Sequence, residues 1–236
     1  MSLRYGRLPI CPTFLMPLLL FAGGQATDPP EVVSNKTGSA DFGGRNSFRI
    51  DPIPAPLLEK MHSSTWHAGC PVSPDDLRQL TLWYWNFDSK PVQGLLIVHK
   101  DVAQEVAQVF ERLHRHGFLI EKMSPIEDYK GSDDASMAAN NTSAFNCRDV
   151  TGQPGKFSNH SWGRAIDINP LTNPYVKGDK VLPPEGRQYL DRTKAFPGSI
   201  LANGFALKQF VQAGWTWGGS WSNPKDYQHF EKPAGN

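Results

Sequence analysis

The sequence predicts an α+β fold, in which strands and helices are mixed without the regular alternation of βαβ units. Three segments support this prediction. Val92–Val98 is an apolar β-prone run, and Asp101–Gly117 carries apolar side chains at helical spacing. Arg164–Asn169 alternates between apolar and less apolar residues, which is typical of a half-buried strand.

The N-terminus has the pattern of an export signal. Arg4 and Arg7 precede the apolar run Leu8–Ala22, which is shorter than the ~20 residues that span a bilayer. Small residues follow it, and we expect residues 1–26 to be a signal peptide cleaved after Ala26. The alternative is an uncleaved anchor.

Residues 27–55 are rich in Pro, Gly, Ser and Asn and lack periodic apolar positions, so we expect a flexible leader. One globular domain is predicted over residues 56–236. Loss of Arg4 and Arg7 with the signal changes the balance from 24 − 23 = +1 to 22 − 23 = −1. A near-neutral chain has no basic footprint for nucleic acid.

The cysteines favour one disulfide. Cys11 lies inside the apolar run without a lipobox, which disfavours a lipoprotein anchor. Cys70 and Cys147 remain after cleavage, and cysteines in an exported protein more often pair than stay free. Two buried thiols are the alternative.

The remaining elements follow from local signals. In the first part we expect a short helix starting at Ser73–Asp76, a strand within Leu80–Phe87, the strand Val92–Val98, and a helix capped by Asp101 and stopped by Gly117. A strand in Phe118–Ile126 and a polar loop over Tyr129–Asn146 should follow. In the last part we expect an insertion over Leu171–Pro197 that can form a wall of a cleft, a helix from Ile200 to Gly214, and a closing strand at Trp215–Trp217. Trp215, Trp217 and Trp221 are interpreted as core, with stacking at a cleft mouth as the alternative.

The stretch Ser158–Pro170 carries the strongest chemical signal. His160 and Asp167 offer an imidazole and a carboxylate, which suit a zinc ion that keeps an open coordination position. Gly163 permits a turn before the strand, and the small Ala165 leaves room beside Asp167.

A second signal lies near the C-terminus, where Asp226 precedes His229 by three residues. His229 can complete a three-ligand zinc site, and Asp226 can exchange protons with an attacking water and a leaving amine. A strict strand would point the two side chains to opposite faces, so we expect a bend or bulge between them. Taken singly, each histidine could be a surface or core residue, Asp167 a turn acid, and Asp226 a strand-end cap.

The two motifs resemble those of a known family. Ser158-Asn-His160-Ser-Trp-Gly163-Arg-Ala165-Ile-Asp167 is similar to the SxHxxGxAxD motif of the VanY-like zinc peptidases, the D-alanyl-D-alanine carboxypeptidases and L-alanyl-D-glutamate endopeptidases. Asp226-Tyr-Gln-His229 resembles their second motif. The resemblance covers roughly Val92–Lys232.

The resemblance implies a hedgehog-like zinc peptidase fold, a small antiparallel sheet with flanking helices. It implies one zinc bound by His160, Asp167 and His229, with Asp226 as the catalytic base. Arg148 would stabilise the substrate carbonyl or oxyanion, and Ser158 would contact substrate or support the site. Asp226, where many relatives have Glu, resembles the endopeptidase branch, so the bond that is cut stays open.

The leading hypothesis is an exported zinc metallopeptidase that hydrolyses peptidoglycan stem peptides. We expect a secreted, periplasmic or wall-associated monomer without a stable membrane span. A non-catalytic zinc-containing wall-binding or signalling module is the alternative, and Asp226 together with Arg148 favours the enzyme. A third hypothesis treats the histidines as incidental.

Overall fold

A computed structural model describes residues 48–234 of the 236-residue chain. The predicted signal peptide, its cleavage after Ala26 and the leader up to residue 47 lie outside the described residues. In chain order the helices and strands are β1 (Phe48–Pro52), α1 (Ala55–His62), β2 (Leu77–Trp85), β3 (Pro91–His99), α2 (Lys100–His116), β4 (Lys122–Met123), α3 (Asp133–Ala138), β5 (Asn141–Thr142), β6 (Asp149–Val150), β7 (Gln153–Phe157), β8 (Ala165–Asp167), β9 (Tyr175–Lys177), β10 (Lys180–Leu182), α4 (Phe205–Gln212), β11 (Thr216–Trp217), β12 (Lys225–Asp226) and β13 (His229–Glu231).

The first sheet has the antiparallel order β1-β2-β3, and the long helix α2 packs on it. The apolar stripe of α2 supplies Val102, Val106 and Phe110 to the main core, as its helical spacing predicts. Gly117 ends the helix in the left-handed region at φ 78°, as expected. The predicted cap is wrong by two residues, because the side chain of His99 accepts the Asp101 N–H.

The predicted leader is wrong over its last residues. Phe48–Pro52 forms β1 along the edge of β2, and α1 already begins at Ala55. Phe48 and Ile50, at alternate positions of this strand, pack against the main core. The strand was not predicted because the composition of the segment is rich in Pro and Gly.

The predicted disulfide is present between Cys70 and Cys147, 77 residues apart in sequence. It joins the loop after α1 to the segment before β6. A second apolar cluster lies beside it and contains Met61, Val72, Leu77, Ile97 and Phe145.

Three other predictions are corrected between Ser73 and Asn146. The expected strand over Phe118–Ile126 is reduced to the two residues of β4, which pair in parallel with β5. The expected loop Tyr129–Asn146 contains α3, because Ser132 caps its first turn by accepting the Ala135 N–H. Short polar helices of this kind have no apolar period to reveal them. Ser73–Asp76 does not open an α-helix: Pro74–Asp76 is a single 3₁₀ turn leading into β2.

The C-terminal half is built from short strands in two small sheets, of order β11-β13-β8 and β10-β9-β12, and a separate hairpin β6–β7. The α+β class is therefore confirmed. No helix among residues 48–234 is long and apolar enough to cross a membrane.

Candidate metal centre and catalytic cleft

The floor of the site is the pair of strands β8 and β13. They are antiparallel neighbours, and His229 lies directly opposite Asp167 in the register. Opposed residues project from the same face of a sheet, so the imidazole and the carboxylate meet. The backbone of Asp167 is also fixed from the other side, since it exchanges two hydrogen bonds with Ser143.

His160 reaches this floor from the 3₁₀ turn Asn159–Trp162. The Ser158 hydroxyl accepts the His160 N–H at the start of the turn, and Gly163 ends it at φ 64°. A side chain at Gly163 would also collide with the backbone N of His99, 2.6 Å from the position of a Cβ. The glycine is thus required both by backbone conformation and by space.

The three predicted ligands converge. Asp167 lies between the two imidazoles, with Oδ2 3.1 Å from His160 Nε2 and Oδ1 2.9 Å from His229 Nδ1, and the two nitrogens are 3.2 Å apart. All three residues are buried. One ligand atom from each lies within 4.8 Å of the others. Two imidazole nitrogens and a carboxylate directed at one point form a donor set that suits a divalent metal such as zinc.

Hydrogen bonds on the far side of each ring define which nitrogen faces this point. His160 Nδ1 donates to the Ala144 carbonyl at 2.6 Å, and His229 Nε2 donates to the Glu231 carboxylate at 3.1 Å. Asn159 Nδ2 donates to the same Glu231 oxygen at 2.7 Å. Such outer contacts orient ligand rings and fix their tautomers. The sequence reasoning missed Glu231 and Asn159, although both lie within or beside the two motifs.

The charges of the cluster are strongly coupled. Burial opposes the ionised form of Asp167, but the adjacent histidines lower the pKa of its carboxyl. Burial likewise opposes the imidazolium of His229, but hydrogen bonds to Asp167 and Glu231 raise its pKa to about 10. The carboxylates of Asp167 and Glu231 therefore favour positive charge at this point.

Asp226 approaches the cluster from the other small sheet. It ends β12, which pairs with β9, whereas His229 begins β13, and the chain changes sheet across Tyr227 and Gln228. This change of sheet provides the bend that was predicted between Asp226 and His229. Gly218 allows the close approach, since a Cβ there would lie 2.7 Å from the Asp226 carbonyl oxygen and 3.3 Å from His229 Cβ.

The carboxyl of Asp226 combines an oxygen that is unpaired within the described chain with a raised pKa. Its Oδ1 atom is buried without a hydrogen-bond partner among residues 48–234. The pKa of Asp226 is raised to about 7, mainly by burial and also by the negative charge of Asp167. The positive charges of His229 and Arg148 act in the opposite direction. A carboxyl with a pKa near neutrality can both accept and return a proton.

Arg148 lies in the same cleft, where one terminal nitrogen is 3.0 Å from Asp133 Oδ2. Ser158 is buried and lines the cleft beside His160. The structure thus brings all six predicted site residues to one cavity of about 370 Å³.

The walls of the cleft come from two hairpins and one tryptophan. Phe157 and Lys156 project from β7, while Tyr175 and Lys177 project from β9 in the predicted insertion. The tryptophan interpretation is right for two of its three residues. Trp215 and Trp217 are core, but Trp221 lines the cleft, with its ring centroid 5.5 Å from that of His229.

A buried cluster of two histidines and one carboxylate with an adjacent acid, carried on an α+β fold, is an arrangement that could hold a metal ion and support hydrolysis. Residues 151–232 match the family model described as D-alanyl-D-alanine carboxypeptidase, which confirms the family resemblance of the two motifs. The match implies a peptidase activity of that kind. It contains the three candidate ligands, Ser158 and Asp226, and begins three residues after Arg148. No curated protein and no solved structure matches the chain.

Proposed function

We propose that this protein is an exported zinc metallopeptidase that hydrolyses amide bonds in peptidoglycan stem peptides. The observation that carries the proposal is the meeting of Asp226 with the His160, Asp167 and His229 cluster in one cleft. A purely structural metal site needs ligands that close around the ion, whereas an additional carboxylate with one oxygen unpaired among the described residues and an open cavity suit catalysis.

His160 Nε2, one Asp167 oxygen and His229 Nδ1 would hold one zinc ion per chain. When bound, zinc would supply Lewis-acid polarisation of the scissile carbonyl and lower the pKa of the attacking water. The ligand rings are already fixed by Ala144 and Glu231, so they would need little rearrangement.

Asp226 would act as the general base and then as the general acid. Its carboxylate would accept a proton from the water that attacks the amide carbon. It would return that proton to the leaving nitrogen as the C–N bond breaks. The products are an amine and a carboxylic acid, which loses its remaining proton to solvent at neutral pH.

Arg148 would donate to the substrate oxygen on which negative charge develops. Ser158 supports the same wall, because its hydroxyl caps the turn that carries His160. Phe157, Tyr175 and Trp221 offer apolar surface for the substrate backbone along the cleft.

The disulfide supports the proposal of export, because disulfides persist in oxidising compartments outside the cytosol. We propose a secreted, periplasmic or wall-associated protein that acts as a monomer on stem peptides. The alternative is a wall-binding or signalling module that keeps zinc without turnover, and it does not explain the unpartnered oxygen of Asp226.

The test is mass spectrometry of defined stem peptides after incubation with the zinc-loaded protein, with a chelator-treated sample as control. Loss of a terminal D-alanine would identify a carboxypeptidase, and a split between L-alanine and D-glutamate an endopeptidase. Stoichiometric zinc without cleavage of any stem peptide would favour the binding module.

A further inference from the structure

We propose that Asp133 is a positioning residue for Arg148, which holds the guanidinium in the orientation used for the substrate oxygen. The inference rests on the proposed function for its catalytic consequence. Asp133 lies outside the two motifs and outside the matched segment 151–232.

The guanidinium of Arg148 is held at two points. One terminal nitrogen contacts Asp133 Oδ2 at 3.0 Å, and the other donates to the Asp149 carbonyl at 3.3 Å. The Nε atom is buried and has no partner within residues 48–234. The Asp133 ion pair is therefore the shortest and the only charged contact of this guanidinium in the described part of the chain.

The backbone of Arg148 is fixed independently of Asp133. Its N–H donates to Ser161 Oγ at 2.9 Å, and that hydroxyl donates to the Arg148 carbonyl at 2.7 Å. Ser161 follows the candidate ligand His160 directly, so the main chain of Arg148 is tied to the metal centre. What remains to be fixed is the long side chain, and Asp133 acts on that part.

Asp133 itself sits on a rigid support. It is the first residue of α3, whose start is capped by Ser132. Ser136 on the same helix is buried and accepts a hydrogen bond from Asn141 in β5 at 2.9 Å. The carboxylate is thus presented to Arg148 from a fixed helix.

The contact is partly shielded from solvent, since the side chains of Arg148 and Asp133 are 27% and 26% exposed. An ion pair that is partly shielded from solvent orients a guanidinium more firmly than a fully exposed one does, because it is screened less. An oriented donor stabilises developing charge without reorganisation during the reaction. Loss of Asp133 should therefore lower kcat more than it changes KM.

The first arm of the test is kinetic. Asp133→Asn keeps the shape of the side chain but removes its charge, and we expect about a tenfold lower kcat on the cleaved stem peptide. KM, zinc content and melting temperature should stay near the wild-type values. Asp133→Glu should restore part of the loss. Asp134→Asn is the matched control, because Asp134 is the exposed neighbour in the same helical turn, and it should have no effect.

A double-mutant cycle separates positioning from a structural role. If Asp133 acts through the guanidinium, Asp133→Asn should cause no further loss in an Arg148→Ala background. An equal loss in both backgrounds, or an unchanged kcat in the single variant, would overturn the inference.

The second arm does not depend on turnover. The Arg148 Nε–H signal in a ¹H–¹⁵N spectrum, assigned by its absence in Arg148→Lys, reports the motion of the guanidinium. We expect an ordered signal that becomes mobile in Asp133→Asn and not in Asp134→Asn. An equally ordered signal in Asp133→Asn would refute positioning, whether or not the wild type cleaves a stem peptide. Failure of the wild type to cleave any stem peptide would refute only the proposed function.

Discussion

The two halves of the described chain are stabilised in different ways. In the first half, two strands of nine residues and a helix of 17 residues bury a continuous apolar cluster. In the second half, the strands that carry the site are two or three residues long. The first half is stabilised mainly by apolar burial. The second half contributes Ile166, Phe210 and Phe230 to the same apolar cluster, and buried polar side chains hold the short strands around the site.

Asn169 illustrates the second mode of stabilisation. It is fully buried two residues after Asp167, with φ at 45°. Its amide donates to the carbonyls of Leu119 and Gly198, and its oxygen accepts the Glu121 N–H. Buried polar groups that are fully paired fix one geometry. This comparison leads us to expect that the two halves respond differently to mutation.

The largest loss of activity without a loss of stability is expected for substitution of Asp226. Asp226→Asn removes proton transfer and should reduce kcat by about 10²- to 10⁴-fold on stem peptides. Zinc content and melting temperature should be retained, since Asp226 is not a predicted ligand. Asp179→Asn, at an exposed acid of the insertion, is the control. Loss of zinc from Asp226→Asn would contradict the assigned role.

The opposite pattern is expected in the first half. Phe110 is buried in α2 and meets Phe210 of α4 edge to face, with ring centroids 6.1 Å apart. Phe110→Ala should lower the free energy of unfolding by about 3–5 kcal/mol, because it leaves a cavity in the main core. Denaturant unfolding would measure the loss. Under conditions where this variant is still folded, its zinc content should match the wild type, and a large drop would mean that the two halves are not separable.

A smaller and more specific effect is expected at Glu231, which holds the His229 ring. Glu231→Gln should weaken zinc binding about 10- to 100-fold, the usual cost of losing an outer contact to a metal ligand. A competition titration with a chelating dye would measure it. Glu185→Gln, an exposed acid in the insertion, should leave affinity unchanged. Unchanged affinity in Glu231→Gln would show that the ring is oriented by packing alone.

The last expected effect is a dependence of zinc affinity on pH. The pKa of His229 is raised to about 10 without metal, so the folded protein carries this proton at neutral pH and zinc must displace it. Affinity should therefore fall as pH falls, by about tenfold per unit for this one proton between pH 8 and pH 6. A flat profile in the same titration would contradict the coupling of His229 with Asp167 and Glu231.

The same contrast explains what the sequence could predict. Strand β3 and helix α2 have long apolar periods, and the three candidate ligands occur in motifs, so both were accessible from sequence. Strand β1 was missed because its segment is rich in Pro and Gly, and helix α3 because it is short and polar. The pairing of Asp133 with Arg148 was missed because a polar contact between separate segments leaves no local period. Trp221 was assigned to the core because tryptophan is common both in cores and along clefts, so the residue type alone does not distinguish the two positions.

The central claim is that His160, Asp167 and His229 together bind one zinc ion. Elemental analysis of the purified full chain tests it most directly, with His160→Ala and His229→Ala beside the control His62→Ala, whose exposed ring packs on Trp66. We predict one zinc per chain in the wild type and in His62→Ala, and loss of zinc in the other two variants. Undiminished zinc in either His160→Ala or His229→Ala would contradict the claim.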